Sequence, residues 1–193
     1  MFVVSNAGPL MVLAKLHRLH LLKALYDYVH IASSVYREVV SAGLQQGHED
    51  ARTLALFLNQ TQWKPENVTS PEPNWLPVNL DQGERDTLVL ANMADDTLVL
   101  MDELIGRQVA RTRGFRIKGS LGILVEAHQK HLINTAQLRL SFAEIVQRPD
   151  IWIAPALVEQ VLKAVISKNT GEEDSKDRFL LIKETAALYT LTP

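Results

Sequence analysis

Phe2-Val3-Val4-Ser5-Asn6 and Thr97-Leu98-Val99-Leu100-Met101-Asp102-Glu103 are the two stretches on which the fold turns. Each is a short apolar run that ends in an oxygen-bearing side chain and leads into a helix-like segment. Each therefore reads as a strand-to-helix unit of an α/β sheet. Open parallel sheets bind ligands at the carboxyl ends of their strands, which makes Asn6, Asp102 and Glu103 candidate ligands.

Working outward, the turn Asn6-Ala7-Gly8-Pro9 places Pro9 in the first turn of a helix to about Leu16. Val29-His30-Ile31-Ala32 reads as a short strand, and Ser33 or Ser34 caps a helix from Val35 to Ala42 that Gly43 is expected to stop. Residues 48–60 have helical spacing, and four prolines between Pro65 and Pro77 make that stretch irregular. Asp81 opens a long helix to about Ala94, Phe115 to Lys118 reads as a strand, and further helices follow to Ile166. Strands and helices alternate, which predicts an α/β fold with a parallel sheet of four or five strands between helices. Residues 1–148 are expected to form this domain and residues 149–193 a helical C-terminal extension and tail. The polar stretch 169–178 reads as a linker, and the apolar segments 179–182 and 186–189 as pieces that dock on this molecule or a neighbour.

Composition narrows the function classes. The 193 residues carry a formal charge of -2, so any site for a polyanion must be local. The absence of cysteine excludes disulfides and thiolate metal sites and fits a cytoplasmic protein. The first apolar run breaks at Ser5-Asn6 and has no basic residues before it, so it reads as a strand and not a signal peptide. No stretch approaches the roughly 18 apolar residues that span a bilayer. No membrane partner is expected.

The acids supply the sharpest local signals. On a helical wheel for residues 81–94, Asp86 falls in the middle of the apolar arc of Val89, Leu90, Met93 and Ala94, where a buried carboxylate needs a cation or hydrogen-bond donors. Its other reading is a buried ion pair with an arginine. Glu84 lies on a different face, and Asp81-Gln82-Gly83-Glu84 has the pattern of a capping box, so Glu84 is either a cap or a site residue. Glu38 sits just beyond the apolar arc of its helix and can reach inward or solvate the boundary. Together Asn6, Glu38, Asp86 and Asp102, with Glu84 and Glu103 nearby, are hard oxygen donors of the kind that suits Mg²⁺ or Mn²⁺. Crowded carboxylates repel one another without a cation, and ions held this way activate water against a phosphodiester.

Arg107, Arg111, Arg116 and Lys118 follow Asp102 closely and could hold RNA phosphates. They read equally as a solvated helix face, with Glu103 and Arg107 as an i,i+4 pair. Ser120, after Gly119, reads as a helix cap or a phosphate contact. The pairs His17/His20 and His128/His131 lack a third ligand and read as surface histidines, and Trp63, Trp75 and Trp152 as core or loop anchors.

Several segments in order carry a family resemblance. Val3-Val4-Ser5-Asn6-Ala7-Gly8-Pro9-Leu10, Val35-Tyr36-Arg37-Glu38-Val39, Leu80-Asp81-Gln82-Gly83-Glu84-Arg85-Asp86 and Leu100-Met101-Asp102-Glu103 together resemble the PIN domain. Gly114-Phe115-Arg116-Ile117-Lys118-Gly119-Ser120-Leu121-Gly122 is similar to a branch of short prokaryotic PIN proteins akin to the VapC toxins. The resemblance implies a three-layer α/β/α fold and a Mg²⁺-dependent endoribonuclease. It further implies the toxin of a toxin-antitoxin pair, a dimer silenced by a small antitoxin, with RNA as substrate. Carried over by position, Glu38, Asp86 with Glu84 as neighbour, and Asp102 match the family's acids, and Asn6 stands where the family usually has its first metal-binding Asp. An amide oxygen can coordinate but brings no charge, which lowers Mg²⁺ affinity. A PIN-like protein that binds without cutting is therefore the alternative. A phosphatase-like domain is a weaker rival, because Asn6 cannot act as its nucleophile.

Overall fold

The computed structural model describes residues 1–169. The apolar segments 179–182 and 186–189, and all but the first residue of the polar stretch before them, lie outside the described residues. The described residues form two compact units, Met1–Ala127 and residues 128–169.

The first unit is built on β1 (Phe2–Ser5). It is followed by α1 (Ala7–Lys15), α2 (His20–Tyr26) and α3 (Ser33–Tyr36), which runs on through a π-helical turn, Arg37–Ala42, into α4 (Gly43–Gln45). Then come α5 (Glu49–Thr61), α6 (Gln82–Ala91), β2 (Thr97–Leu100), α7 (Leu104–Thr112), β3 (Arg116–Lys118) and α8 (Ser120–Gln129). The strands pair in the order β1-β2-β3, all parallel. Val29–Ala32 adds to the sheet without becoming a regular strand. His30 N donates to Val3 O at 2.8 Å and Ser5 N to His30 O at 3.0 Å. Backbone groups alternate along a strand, and the even residues of β1 face β2, so His30 flanks the opposite edge of β1.

Every residue of β2 is buried, as a central parallel strand covered on both faces requires. Truncating a side chain as enclosed as Leu100 to alanine would cost roughly 2–5 kcal/mol. The register Ser5↔Leu100, with Asn6 N donating to Leu100 O at 2.9 Å, ends both strands at one level and delivers Asn6 and Asp102 side by side.

Several expectations change: the sheet has three paired strands among the described residues where four or five are expected, and Ala32, not Ser33 or Ser34, stands at the N-cap of α3. Gly43 does not stop its helix, because it holds right-handed helical angles (φ -62, ψ -40). A Cβ there would lie 2.6 Å from the Ala51 Cβ, so glycine serves the close approach of α5. The long helix ends at Ala91 and not Ala94, where the Thr97 hydroxyl donates to Ala91 O and Ala94 O and turns the chain into β2. The proline-rich stretch is irregular as expected. Arg85 holds it through Glu72 and Pro77 O, and the Arg113 guanidinium lies 4.6 Å from the Trp75 ring.

In the second unit α9 (Thr135–Gln147) opens with a capping box between Asn134 and Gln137 and packs against α10 (Pro155–Asn169). Trp152 is no anchor in a core: it is 94% exposed. No helix among the described residues is long and apolar enough to cross a membrane.

Candidate active site at the carboxyl ends of β1 and β2

Asp102 follows β2 and turns toward the start of α8. Its Oδ1 accepts the Ser120 amide at 2.8 Å and its Oδ2 the Ser120 hydroxyl at 2.5 Å. Ser120 is fully buried, so a side chain 18 positions away in sequence fixes the carboxylate. Burial pushes the Asp102 carboxyl above its usual range, while the two Ser120 bonds and the nearby Arg107 charge pull it back.

Asn6, 2% exposed, is the residue at which β1 becomes α1. Its Nδ2 donates to Glu103 Oε2 at 3.1 Å, while its Oδ1 is buried and has no hydrogen-bond partner. Glu103 is raised first by burial and then by the charge of Asp102. The Asn6 amide and backbone N–H groups oppose that shift. An amide at position 6 thus gives Glu103 a donor where a carboxylate would give it a like charge.

The start of α6 supplies the third wall. Asp81 and Glu84 form the expected capping box: Glu84 N donates to Asp81 Oδ1 at 2.7 Å, and Asp81 N to Glu84 Oε2 at 3.0 Å. The Glu84 carboxylate also accepts the backbone N–H of Gly106 in the first turn of α7, so one acid serves the amino ends of two helices. Between Asp81 and Glu84 lies Gly83. A Cβ at Gly83 would stand 3.0 Å from Glu38 Oε2 and 3.3 Å from both Asn6 Oδ1 and Asp81 Oδ1. Three oxygens from three elements therefore surround a point that only glycine leaves open. Glu38, in the π-helical turn, is raised by partial burial and then by the charges of Asp81, Glu103 and Glu84. Glu84 is likewise raised by burial and by Asp81 and Glu103, against its two backbone bonds.

The structure brings Asn6, Glu38, Glu84, Asp102 and Glu103 into mutual influence and leaves Asp86 apart. Helix α6 is buried on most of its circumference, so its apolar arc does not mark one inward face. The stripe of Glu84, Thr87, Leu88 and Ala91 is enclosed, while Asp86 is half-buried and accepts from Gln82 at 2.8 Å. Asp81, read from the sequence as a cap alone, also stands among the acids, a placement its capping pattern gave no reason to expect.

Most of the cations lie elsewhere. Arg116 pairs with Asp96 at 2.5 Å, and Lys118 with Glu126, which also accepts the Tyr26 hydroxyl at 2.7 Å. Arg111 is half-buried in the last turn of α7. Arg107 stays beside Asp102: a Cβ at Gly119 would meet Asp102 Oδ1 at 2.6 Å and Arg107 Nη1 at 2.9 Å. Arg37, which sequence reasoning passed over, opens with Ser34, Glu38, Asp81, Gln82 and Gly83 onto a pocket of about 530 Å³.

Among the described residues no three His, Asp or Glu side chains stand as a ready-made ligand group. The donor chemistry still fits a hard dication. The Asn6 Oδ1 lacks a partner, the gap over Gly83 is walled by oxygens, and the acids raise one another. Mg²⁺ retains several waters and takes only one or two carboxylates, so a closed protein cage is not required.

The family model DUF3368, a PIN domain, matches residues 2–167. No curated protein and no solved structure matches the chain. A parallel sheet with acids gathered at the ends of β1 and β2 is the frame which that match covers almost from end to end. The chain belongs to the PIN-domain family, whose members are generally nucleases.

Proposed function

We propose that this protein is a Mg²⁺- or Mn²⁺-dependent endoribonuclease, the toxin of a toxin-antitoxin pair akin to the VapC proteins. The observation that carries the reading is the oxygen-walled gap over Gly83, where Asn6 offers a buried, unpartnered Oδ1 beside Glu38. In this reading Glu38 and Asp102 supply the carboxylates that hold the ion, Glu103 stands beside them, and Asn6 is a neutral donor. Glu84 fixes the wall behind them, and Asp86 lies at the rim. When bound, the ion would generate the attacking hydroxide and offset charge on the phosphodiester. Ser120 keeps Asp102 oriented, and Asn6 holds Glu103 through its Nδ2. Arg107, beside Asp102, borders the RNA path, with Arg111 further along α7, while Arg116 and Lys118 would reach it only by leaving Asp96 and Glu126. A small antitoxin, a homodimer and a cytoplasmic setting belong to the same proposal.

The test is cleavage of single-stranded RNA with and without Mg²⁺ or Mn²⁺, in the wild type and in Asp102→Asn and Glu38→Gln. Cutting should require the ion and fall by about two orders of magnitude or more in Asp102→Asn, equal to a few kcal/mol of transition-state stabilisation. Equal rates in wild type and Asp102→Asn would refute it. One observation favours a second reading, binding without cleavage: Glu84 and Asp102 already satisfy helix amides, and position 6 is neutral. RNA bound by the wild type but cut by neither wild type nor Asn6→Asp would establish that reading.

A further inference from the structure

Beside the acids, Ser34 and Arg37 have no role in the metal chemistry. Ser34 is 8% exposed, and its hydroxyl is buried without a hydrogen-bond partner. An orphaned buried hydroxyl costs roughly 1–3 kcal/mol, and alanine would fill the position without that cost. Such a group fits a place where a ligand completes it.

Arg37 is exposed and opens the π-helical turn that also carries Glu38. Its Nε donates to Ser33 O at 3.3 Å, a weak bond that leans the guanidinium stem along α3. Among the described residues its guanidinium pairs with neither Glu38 nor Asp81, although all three line the same pocket. Val39 and Val40 are buried while Arg37 and Glu38, adjacent on the other side of the helix, face outward together. A cation that lines the same pocket as Glu38 and Asp81 without pairing with either, with an unfilled hydroxyl on the same wall, matches a ligand that is both anionic and rich in hydrogen-bond acceptors.

We infer that Ser34 and Arg37 form a phosphate subsite that seats the RNA backbone beside the acids. The inference rests on the ribonuclease reading and extends it to a specific pair of contacts. Arginine presents a planar fork that takes two phosphate oxygens at once, and the Ser34 hydroxyl donates to a third acceptor of the same strand. About 530 Å³ is room enough for a phosphate and its ribose. The subsite also counters an electrostatic difficulty, because a wall of carboxylates repels the strand that must lie against it.

The experiment is fluorescence anisotropy of a labelled single-stranded oligoribonucleotide in Ca²⁺ buffer across a salt series. Arg37→Gln should weaken binding about tenfold and reduce the salt slope by about 0.7, one phosphate contact on a single strand. Arg37→Lys should recover the slope but only part of the affinity, since the charge returns without the fork. Ser34→Ala should weaken binding severalfold while its melting temperature holds or rises, a combination that a structural role for the hydroxyl would not produce. Unchanged affinity and slope in Arg37→Gln, or unchanged RNA affinity in Ser34→Ala, would overturn the subsite and leave the ribonuclease reading intact. A wild-type protein that does not bind RNA at all would overturn both.

Discussion

Ser120 takes both carboxylate oxygens of Asp102, one through its amide and one through its hydroxyl. The amide bond survives any substitution except proline, so the hydroxyl can be removed alone. Ser120→Ala should cost about 1.5–3 kcal/mol, the range for a hydrogen bond to a charged group, read as a shift in the urea midpoint. Cleavage should fall by more than stability predicts, because Asp102 would gain freedom at the position where its orientation matters. A variant with wild-type stability and activity would show that Asp102 needs no such anchor.

Gly83→Ala separates folding from function. Alanine gains up to about 1 kcal/mol of helix propensity over glycine within a helix. The new Cβ lies 3.0 Å from the Glu38 carboxylate, which is the mobile end of an exposed side chain and can swing away. Stability should therefore stay within about 1 kcal/mol of wild type, while Mn²⁺ binding by calorimetry and RNA cleavage both drop. Retained Mn²⁺ heat in a folded Gly83→Ala protein would place the ion elsewhere.

Asn6→Asp converts a donor to Glu103 into a second negative charge at a buried position. Without metal the variant should lose stability, by about 1–3 kcal/mol for the lost donor alone, because two adjacent carboxylates resist joint ionisation. With Mg²⁺ its melting temperature should rise by more than that of wild type, since the added charge strengthens ion binding. Equal Mg²⁺-induced shifts in the two proteins would remove position 6 from the metal site.

The pH dependence has a definite sign. Burial raises Glu38, Glu84, Asp102 and Glu103 in the folded protein, so the folded state binds more protons than the unfolded state just above the ordinary carboxylate range. Stability then falls as pH rises through that interval. Metal-free protein should be more stable at pH 5 than at pH 7 by thermal melting. Glu103→Gln should flatten the slope, and saturating Mg²⁺ should largely abolish it. Burial and Arg18 lower His20, which contributes with the opposite sign over the same interval, so the comparison with Glu103→Gln isolates the acids: an unchanged slope in that variant would contradict the acid group.

How much was legible follows from what each signal depends on. The strand ends at Asn6 and Asp102 and the Asp81–Glu84 capping box are local patterns, and they were readable because a few consecutive residues specify them. Asp86 reads inward on the helical wheel but is half-buried, because α6 is enclosed on most sides and hydrophobic periodicity has no contrast to report. Arg116 and Lys118 are paired with Asp96 and Glu126 from other segments, which spacing within their own strand cannot reveal. Ser120, after Gly119, reads as a helix cap or a phosphate contact. Its hold on Asp102 depends on β2 and β3 lying side by side. Arg37 gives no local signal of its place, because the pocket it lines is completed by Asp81, Gln82 and Gly83 from the start of α6.

The pairing of Ser5 with Leu100 reaches beyond packing. Strand side chains alternate in direction, so deleting one residue between Thr97 and Met101 would turn Asp102 toward the opposite face while the apolar runs still looked intact. Descent with altered length is therefore closed to these two strands and open to the proline-rich excursion after α5. Gene variants with one codon lost from the 97–101 segment should be inactive even when every acidic side chain is retained.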